Sequence, residues 1–291
     1  MKNSLLIFAC LLILLSTCKK DGGNDNGILG CMDPISLNYN PLATESNGSC
    51  LVPLNKQRSL VLEYTSVYCH YCGEWGYDTF NNLVQKYGND IIPMSIHGNM
   101  TSIDPMWNDA LFTSFTSCRA SGLPKFWVGD IAGASNYSNL IEALNKKAPW
   151  AGVTLLSSRS GDTVVIKTMT KFFDNPVNTV WYGEYYINVY LTESGISGYN
   201  NGAYTQSNDH PLGRPDYKHN HVLRTAGTPT SAYGVLLVNG TNPSPIPEGY
   251  IGKKDFKIKL NPSWNSSQIK VSAVLWLKQG AYYYFINGYA E

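Results

Sequence analysis

Charge is scarce in this sequence. Only 15% of its 291 residues are Asp, Glu, Lys or Arg, and 22 basic against 21 acidic side chains leave a formal charge of +1. A chain so balanced has no broad positive field to condense on phosphates, so nucleic acid is excluded as an expected partner. Long apolar runs are lacking too: Leu5 to Leu15 is eleven residues, short of the roughly 20 that a spanning helix needs. What is abundant is aromatic and turn-forming. The 20 Tyr, 7 Trp, 26 Gly and 15 Pro, within a 43% hydrophobic composition, fit β-rich extracytoplasmic domains better than helical bundles. At roughly 150 residues per domain, the length allows about two.

The basic start Met1-Lys2-Asn3 and the apolar run read as a signal peptide over 1–17. Leu15-Ser16-Thr17-Cys18 resembles the lipobox of bacterial lipoproteins, which implies a lipid-anchored Cys18 and a place in the cell envelope at the outer membrane, on its periplasmic or surface face. Lipid chains supply about 0.8 kcal/mol per buried methylene, so they hold a globular domain on a membrane without a spanning helix. Residues 18–29 are polar and Gly/Asn-rich and read as a flexible tether. Residues 30–53 form a small module bounded by Cys31 and Cys50, whose bridge closes a loop of about twenty residues, worth roughly 3 kcal/mol. Its Asp33, Asn38, Asn40 and Glu45 suit either Ca²⁺ ligation or, the favoured reading, turn capping.

The chemistry-bearing segment follows. Ser59 to Thr65 is a β-prone run, and it leads at once into Cys69-His70-Tyr71-Cys72. Trp75, Phe80, Leu83, Val84 and Tyr87 then recur at helical spacing, with Gly88 as the stop. A cysteine at a helix N-terminus is favoured as thiolate by the dipole and free amides, which makes Cys69, with its sulfur expected to face solvent, the nucleophile. Cys72, one turn on, is placed to resolve the mixed disulfide, and a protonated His70 further favours the thiolate. A CxxC alone also suits half of a zinc site or a plain structural bridge.

Further features narrow the choice. Glu63 interrupts the apolar strand, Asp90 to His97 supplies another strand, and Gly122-Leu123-Pro124 leads into the β-prone Lys125 to Val128. Asn139 to Ala148 reads as a closing helix and Asn99 to Arg119 as an insertion. This order resembles the thioredoxin-like superfamily over about 54–149. The resemblance implies a buried Glu63 that moves a proton to or from the second cysteine. It also implies a cis Pro124 beside the CxxC and an extended substrate contacted by Leu123, His70 and Tyr71. The alternative for Glu63 is an exposed strand edge. Cys118 is left over, either a third thiol near the site or a buried small apolar residue. His97 is a conceivable copper or zinc ligand with the two cysteines, although no metal is predicted.

From Thr154 the pattern changes to period-two alternation in Val164–Lys171, Tyr185–Leu191, Asp255–Leu260 and Ile269–Trp276, the mark of half-buried strands. Residues 150–291 are therefore expected to form an all-β, Ig-like sandwich after the α/β thioredoxin-like domain. Ser194 to Tyr217 is a long polar loop with interspersed aromatics. His219 and His221 would share one strand face, with His210 or Asp216 as a third metal ligand, though a structural role is the favoured reading. With the lipobox, the whole chain resembles the outer-membrane lipoprotein family named after a twenty-eight-kilodalton outer membrane protein. The expectation is a lipid-anchored thiol–disulfide oxidoreductase or redox partner. It needs no cofactor, and its partners are protein thiols and disulfides. The rivals are a surface binding or adhesion lipoprotein whose CxxC is an inert staple, and a copper- or zinc-handling protein.

Overall fold

Seven consecutive buried residues, Ser59 to Thr65, mark a strand covered on both faces. The computed structural model describes residues 27–100, 102–173, 182–207 and 215–291. The signal segment, the Cys18 anchor, most of the tether and His210 lie outside the described residues. In chain order, β1 (Leu29–Gly30) and β2 (Glu45–Ser46) belong to the small module. They are followed by β3 (Ser59–Thr65), α1 (Tyr77–Tyr87), β4 (Ile91–His97), α2 (Asp109–Ser114), β5 (Lys125–Val128), β6 (Ile131–Ala132) and α3 (Tyr137–Asn145). The C-terminal half adds β7 (Ala151–Ser160), β8 (Thr163–Phe172), β9 (Gly183–Glu193), β10 (Ile196–Ser197), β11 (Lys218–His219), β12 (Val222–Ala226), β13 (Val235–Gly240), β14 (Ile251–Lys259), β15 (Ile269–Gln279) and β16 (Tyr282–Ala290).

In the small module, Cys31 and Cys50 form the expected disulfide. Two of its polar side chains cap turns, Asp33 accepting from the Ile35 amide and Asn40 from Leu42, while Asn38 accepts from the Leu51 amide thirteen residues on. Those oxygens are occupied as the turn-capping reading requires.

β3 lies between β4, which runs parallel to it, and β5, which runs antiparallel. On one face Val61 packs with Phe80 and Leu83 of α1 and Ile141 of α3. On the other, Leu60, Leu62 and Tyr64 pack with Tyr190 of β9, Trp276 of β15 and Phe285 of β16. The second core thus contains residues from both halves of the chain. The insertion is part of it, since Leu111, Phe115 and Cys118 are wholly buried there.

The sheet itself also crosses the boundary expected between 149 and 150. Its nine strands run β16-β15-β9-β12-β4-β3-β5-β6, with β13 also on β9. The joint is β12: it is antiparallel to β9 and parallel to β4, pairing Val222 with Ser95, whose amide donates to the His221 carbonyl. Asn287 of β16 adds a buried knot, donating to the carbonyls of Lys56 and Ala151 and accepting from the Arg58 amide. A separate three-stranded antiparallel sheet, β14-β8-β7, packs on β9, β13, β15 and β16 around an aliphatic core that includes Ile166, Ile187, Val189 and Leu275. Among the described residues, no helix is long and apolar enough to cross a membrane.

Candidate functional site

The chain leaves β3 at Thr65, turns through Ser66 to Tyr68, and enters helix at His70. Cys69 therefore stands just before the first helical turn, and its amide donates to the Ser66 carbonyl. Cys69 and Cys72 form a disulfide, and the Cys72 amide donates to Cys69 Sγ at 3.2 Å. From Cys72 to Gly76 the helix is wound as a π turn, a local form frequent at functional sites.

Two glycines on that turn permit close approaches from different elements. A Cβ on Gly76 would lie 3.1 Å from the Pro124 ring, and the Leu123–Pro124 peptide is cis, as expected. A Cβ on Gly73 would lie 2.8 Å from Gln206 Cγ and 3.0 Å from the Ser207 carbonyl oxygen. Pro124 and Gln206 thus press on the same short helix segment.

Gln206 belongs to the arm that links β9 to β12, which is folded back over the CxxC. Its Nε2 lies within hydrogen-bond distance of the carbonyls of Ser66 (3.1 Å), Cys69 (2.9 Å) and Ser207 (3.1 Å), and the Ser207 amide donates to Val67. Tyr217 stacks on Tyr77 of α1 at 4.1 Å. In this arrangement Cys69 is only 2% exposed and Cys72 is fully buried. This corrects the expectation of a solvent-facing sulfur at position 69: a helix N-terminus is open only when nothing docks on it, and here residues about 140 positions away in sequence do.

The other expected site residues fall around this disulfide. Tyr71 is exposed, and His70 is half-buried with Nε2 3.6 Å from Glu74. Leu123 is half-buried against the shared core. Glu63 lies on the central strand, 5% exposed, between Ser95 of β4 and Phe126 of β5. The edge-strand alternative therefore does not hold. Burial pushes its carboxyl up to about 8, against the lowering effect of the Ser95 hydroxyl, which donates at 3.1 Å. At pH 7 Glu63 is mostly the neutral acid.

Behind Glu63 is a chamber of about 20 Å³ lined by Glu63, Thr65, Ser95, His97, Tyr77 and His219, among others. His97 Nδ1 is 3.0 Å from Asp104 Oδ2, and both side chains are buried. Burial works to raise the Asp104 carboxyl, but the His97 charge and hydrogen bond, with the amides of Val67 and Met106, outweigh it and hold it below its usual value. His97 is therefore engaged with Asp104 rather than with the cysteines. His219 packs edge-on against His97 at 5.4 Å and bonds the Tyr204 carbonyl through Nε2. Burial and the neighbouring His97 push it down to about 3.

His221 has a left-handed φ of 54°, which breaks the strand between β11 and β12. It therefore does not share a strand face with His219, as period-two reasoning expected; its ring packs on Phe80, and burial pushes it down to about 4. Among the described residues, no three His, Cys, Asp or Glu side chains converge as a metal site. Cys118 is buried, with its thiol pushed up to about 12 by burial and by Asp130. That is the environment of a packing residue rather than a reactive thiol. A cleft of about 300 Å³ between α3 and β16, lined by Trp150 and Tyr284, holds none of the candidate residues.

No protein-family model matches this sequence, and no curated protein matches it. Among solved structures, HBP35 of Porphyromonas gingivalis superposes with a TM-score of 0.60, covering 82% of this chain and 76% of its own at 13% identity. The two share a fold. At that identity the likeness says nothing of chemistry. A domain of the outer membrane lipoprotein Omp28 from Porphyromonas gingivalis is matched over 50% of this chain and 88% of its own at 15% identity, with a TM-score of only 0.28.

Sequence reasoning missed Gln206, Asp104 and Ser95. The only signal for Gln206 was the unusual length of the polar loop that carries it. Asp104 sits in a segment read as a mere insertion, where one carboxylate among polar neighbours gives no hint of burial.

Proposed function

We propose that the protein is an envelope-located, lipid-anchored thiol–disulfide exchange protein in which a thioredoxin-like unit, 54–149, is fused to an Ig-like β unit. The observation that carries this reading is Glu63. A buried carboxyl without a cationic partner costs stability, and a purely structural staple has no use for one. On the strand that feeds the disulfide helix, a neutral acid has a chemical use. When a substrate thiolate attacks Cys69, the S–S electron pair leaves on Cys72, and the Glu63 proton neutralises that thiolate. In the reverse direction Glu63 as carboxylate takes the Cys72 proton. Cys72 then attacks the Cys69 mixed disulfide and the substrate thiolate departs. Leu123 and Pro124 would shape the groove for an extended peptide, with His70 and Tyr71 beside it. The element order β3-α1-β4-α2-β5-β6-α3, with α2 in the insertion and Pro124 against Gly76, supports the thioredoxin-like assignment.

The envelope location rests on the lipobox at Cys18. The test is exchange with a disulfide-containing peptide. Cys69→Ser is expected to abolish it, and Cys72→Ser to trap a mixed disulfide at Cys69. Exchange by Cys69→Ser at the parent rate would overturn the reading. The burial of Cys69 favours one rival, a surface binding or adhesion lipoprotein with an inert staple. A reduction potential below about −300 mV would decide for that rival.

A further inference from the structure

The chamber beside Glu63 holds the buried polar groups that the exchange chemistry above leaves unused. Its volume, about 20 Å³, is enough for one water. Its donors and acceptors come from every element around it: Glu63 and Thr65 of β3, Ser95 and His97 of β4, Tyr77 and Asn81 of α1, and Tyr217, Lys218, His219 and Asn220 of the arm and β11. A buried water needs two to four polar partners, and this wall supplies them. Tyr77, Asn81, Lys218 and Asn220 are half-buried and form the side nearest solvent.

His97 is fixed with unusual thoroughness. Asp104 Oδ2 takes both His97 Nδ1, at 3.0 Å, and the Val67 amide, at 2.8 Å. Asp104 Oδ1 takes the Met106 amide, and the Asp104 amide donates to Asn99. One carboxylate thus ties the His97 ring to the loop that delivers Cys69. With Nδ1 committed to Asp104, Nε2 is the nitrogen left for the chamber. His219, the neighbouring ring, is held neutral and donates through Nε2 to Tyr204, so it takes no part in carrying charge.

We propose that His97, positioned by Asp104, relays protons between Glu63 and the solvent side of the chamber through one water lodged between them. The proposal rests on the exchange reading above. When Glu63 has given its proton to the Cys72 thiolate, an N–H at His97 Nε2 passes to the water, and the water passes a proton to the Glu63 carboxylate. The ring becomes neutral, keeps Nδ1–H on Asp104, and regains its proton from the side near Lys218 and Asn220. In the opposite direction every proton retraces the path. No electrons move in these steps.

The test follows Glu63 Cδ and the His97 ring by ¹³C NMR across pH in the whole protein, oxidised and reduced. The expected result is a Glu63 curve with a second inflection at the His97 midpoint. In His97→Gln that inflection vanishes. The exchange rate at pH 7 falls roughly tenfold in the same variant. A Glu63 curve with one inflection in the parent overturns the relay, and that measurement needs no variant to fold. So does a folded His97→Gln that exchanges at the parent rate. If the parent shows no exchange at all while the two titrations are coupled, the exchange reading fails and the proton coupling stands.

Discussion

Glu63 makes the stability of this protein depend on pH in a direction opposite to that of most carboxylates. Its pKa rises from 4.5 to about 8 on folding, so between these values the folded state holds a proton that the unfolded state has lost. Stability contributed by the protonated form is complete below pH 4.5 and falls by about 1.4 kcal/mol per pH unit up to about pH 8. Glu63→Gln keeps a hydrogen-bonding partner for Ser95 and removes the titration. The oxidised variant is therefore expected to be more stable than the parent at pH 8, by up to a few kcal/mol, and similar to it at pH 4.5. Urea denaturation at the two pH values measures this, and equal differences at both would show that Glu63 is not buried as an acid. Gln206 invites a second single-residue experiment. Gln206→Ala removes the amide that bonds the Ser66 and Cys69 carbonyls. With about 1–2 kcal/mol of arm docking lost, reduction of Cys69–Cys72 by a small dithiol should accelerate roughly 5- to 30-fold. An unchanged rate would mean that the arm does not limit access.

At the scale of elements, what could be read in the sequence was what depends on neighbours in sequence. β3 declared itself by an unbroken β-prone run, α1 by the spacing of Phe80, Leu83 and Val84 and by Gly88, whose φ is positive as a helix stop requires. β8, β9, β14 and β15 were visible as alternation or apolar runs, and the CxxC with its following helix located the disulfide. Strand partners were not legible. Val222 to Ala226 is a short segment with no periodicity of its own, and its place between β4 and β9 is set by the edges of two strands far apart in sequence. The arm was recognised as long and polar, but its docking depends on Gly73, a residue whose lack of a side chain carries no pattern. The His219/His221 expectation failed for a local reason, a single left-handed residue that ends one strand before the next begins. The burial of the insertion was not legible, because Met106, Leu111, Phe115 and Cys118 are spaced too irregularly to show a buried face.

At the scale of the whole molecule, the shared core sets the cooperativity. Trp276 lies in the C-terminal half, is completely buried, and donates through Nε1 to Tyr190 at 3.0 Å while packing against Phe285 and Tyr233. Its cluster includes Leu60, Leu62 and Tyr64 of the strand that feeds the disulfide. Trp276→Ala is expected to cost about 3–5 kcal/mol, and to lower the unfolding midpoint seen by probes in either half by the same amount. Two transitions, with only the later strands affected, would show that the halves fold independently. Among the described residues, one sheet runs from β6 to β16 and joins the two halves of the chain. The far strands and the sulfur pair are therefore parts of one body, held at one fixed distance and one fixed angle, as jaw and handle are in a single forging.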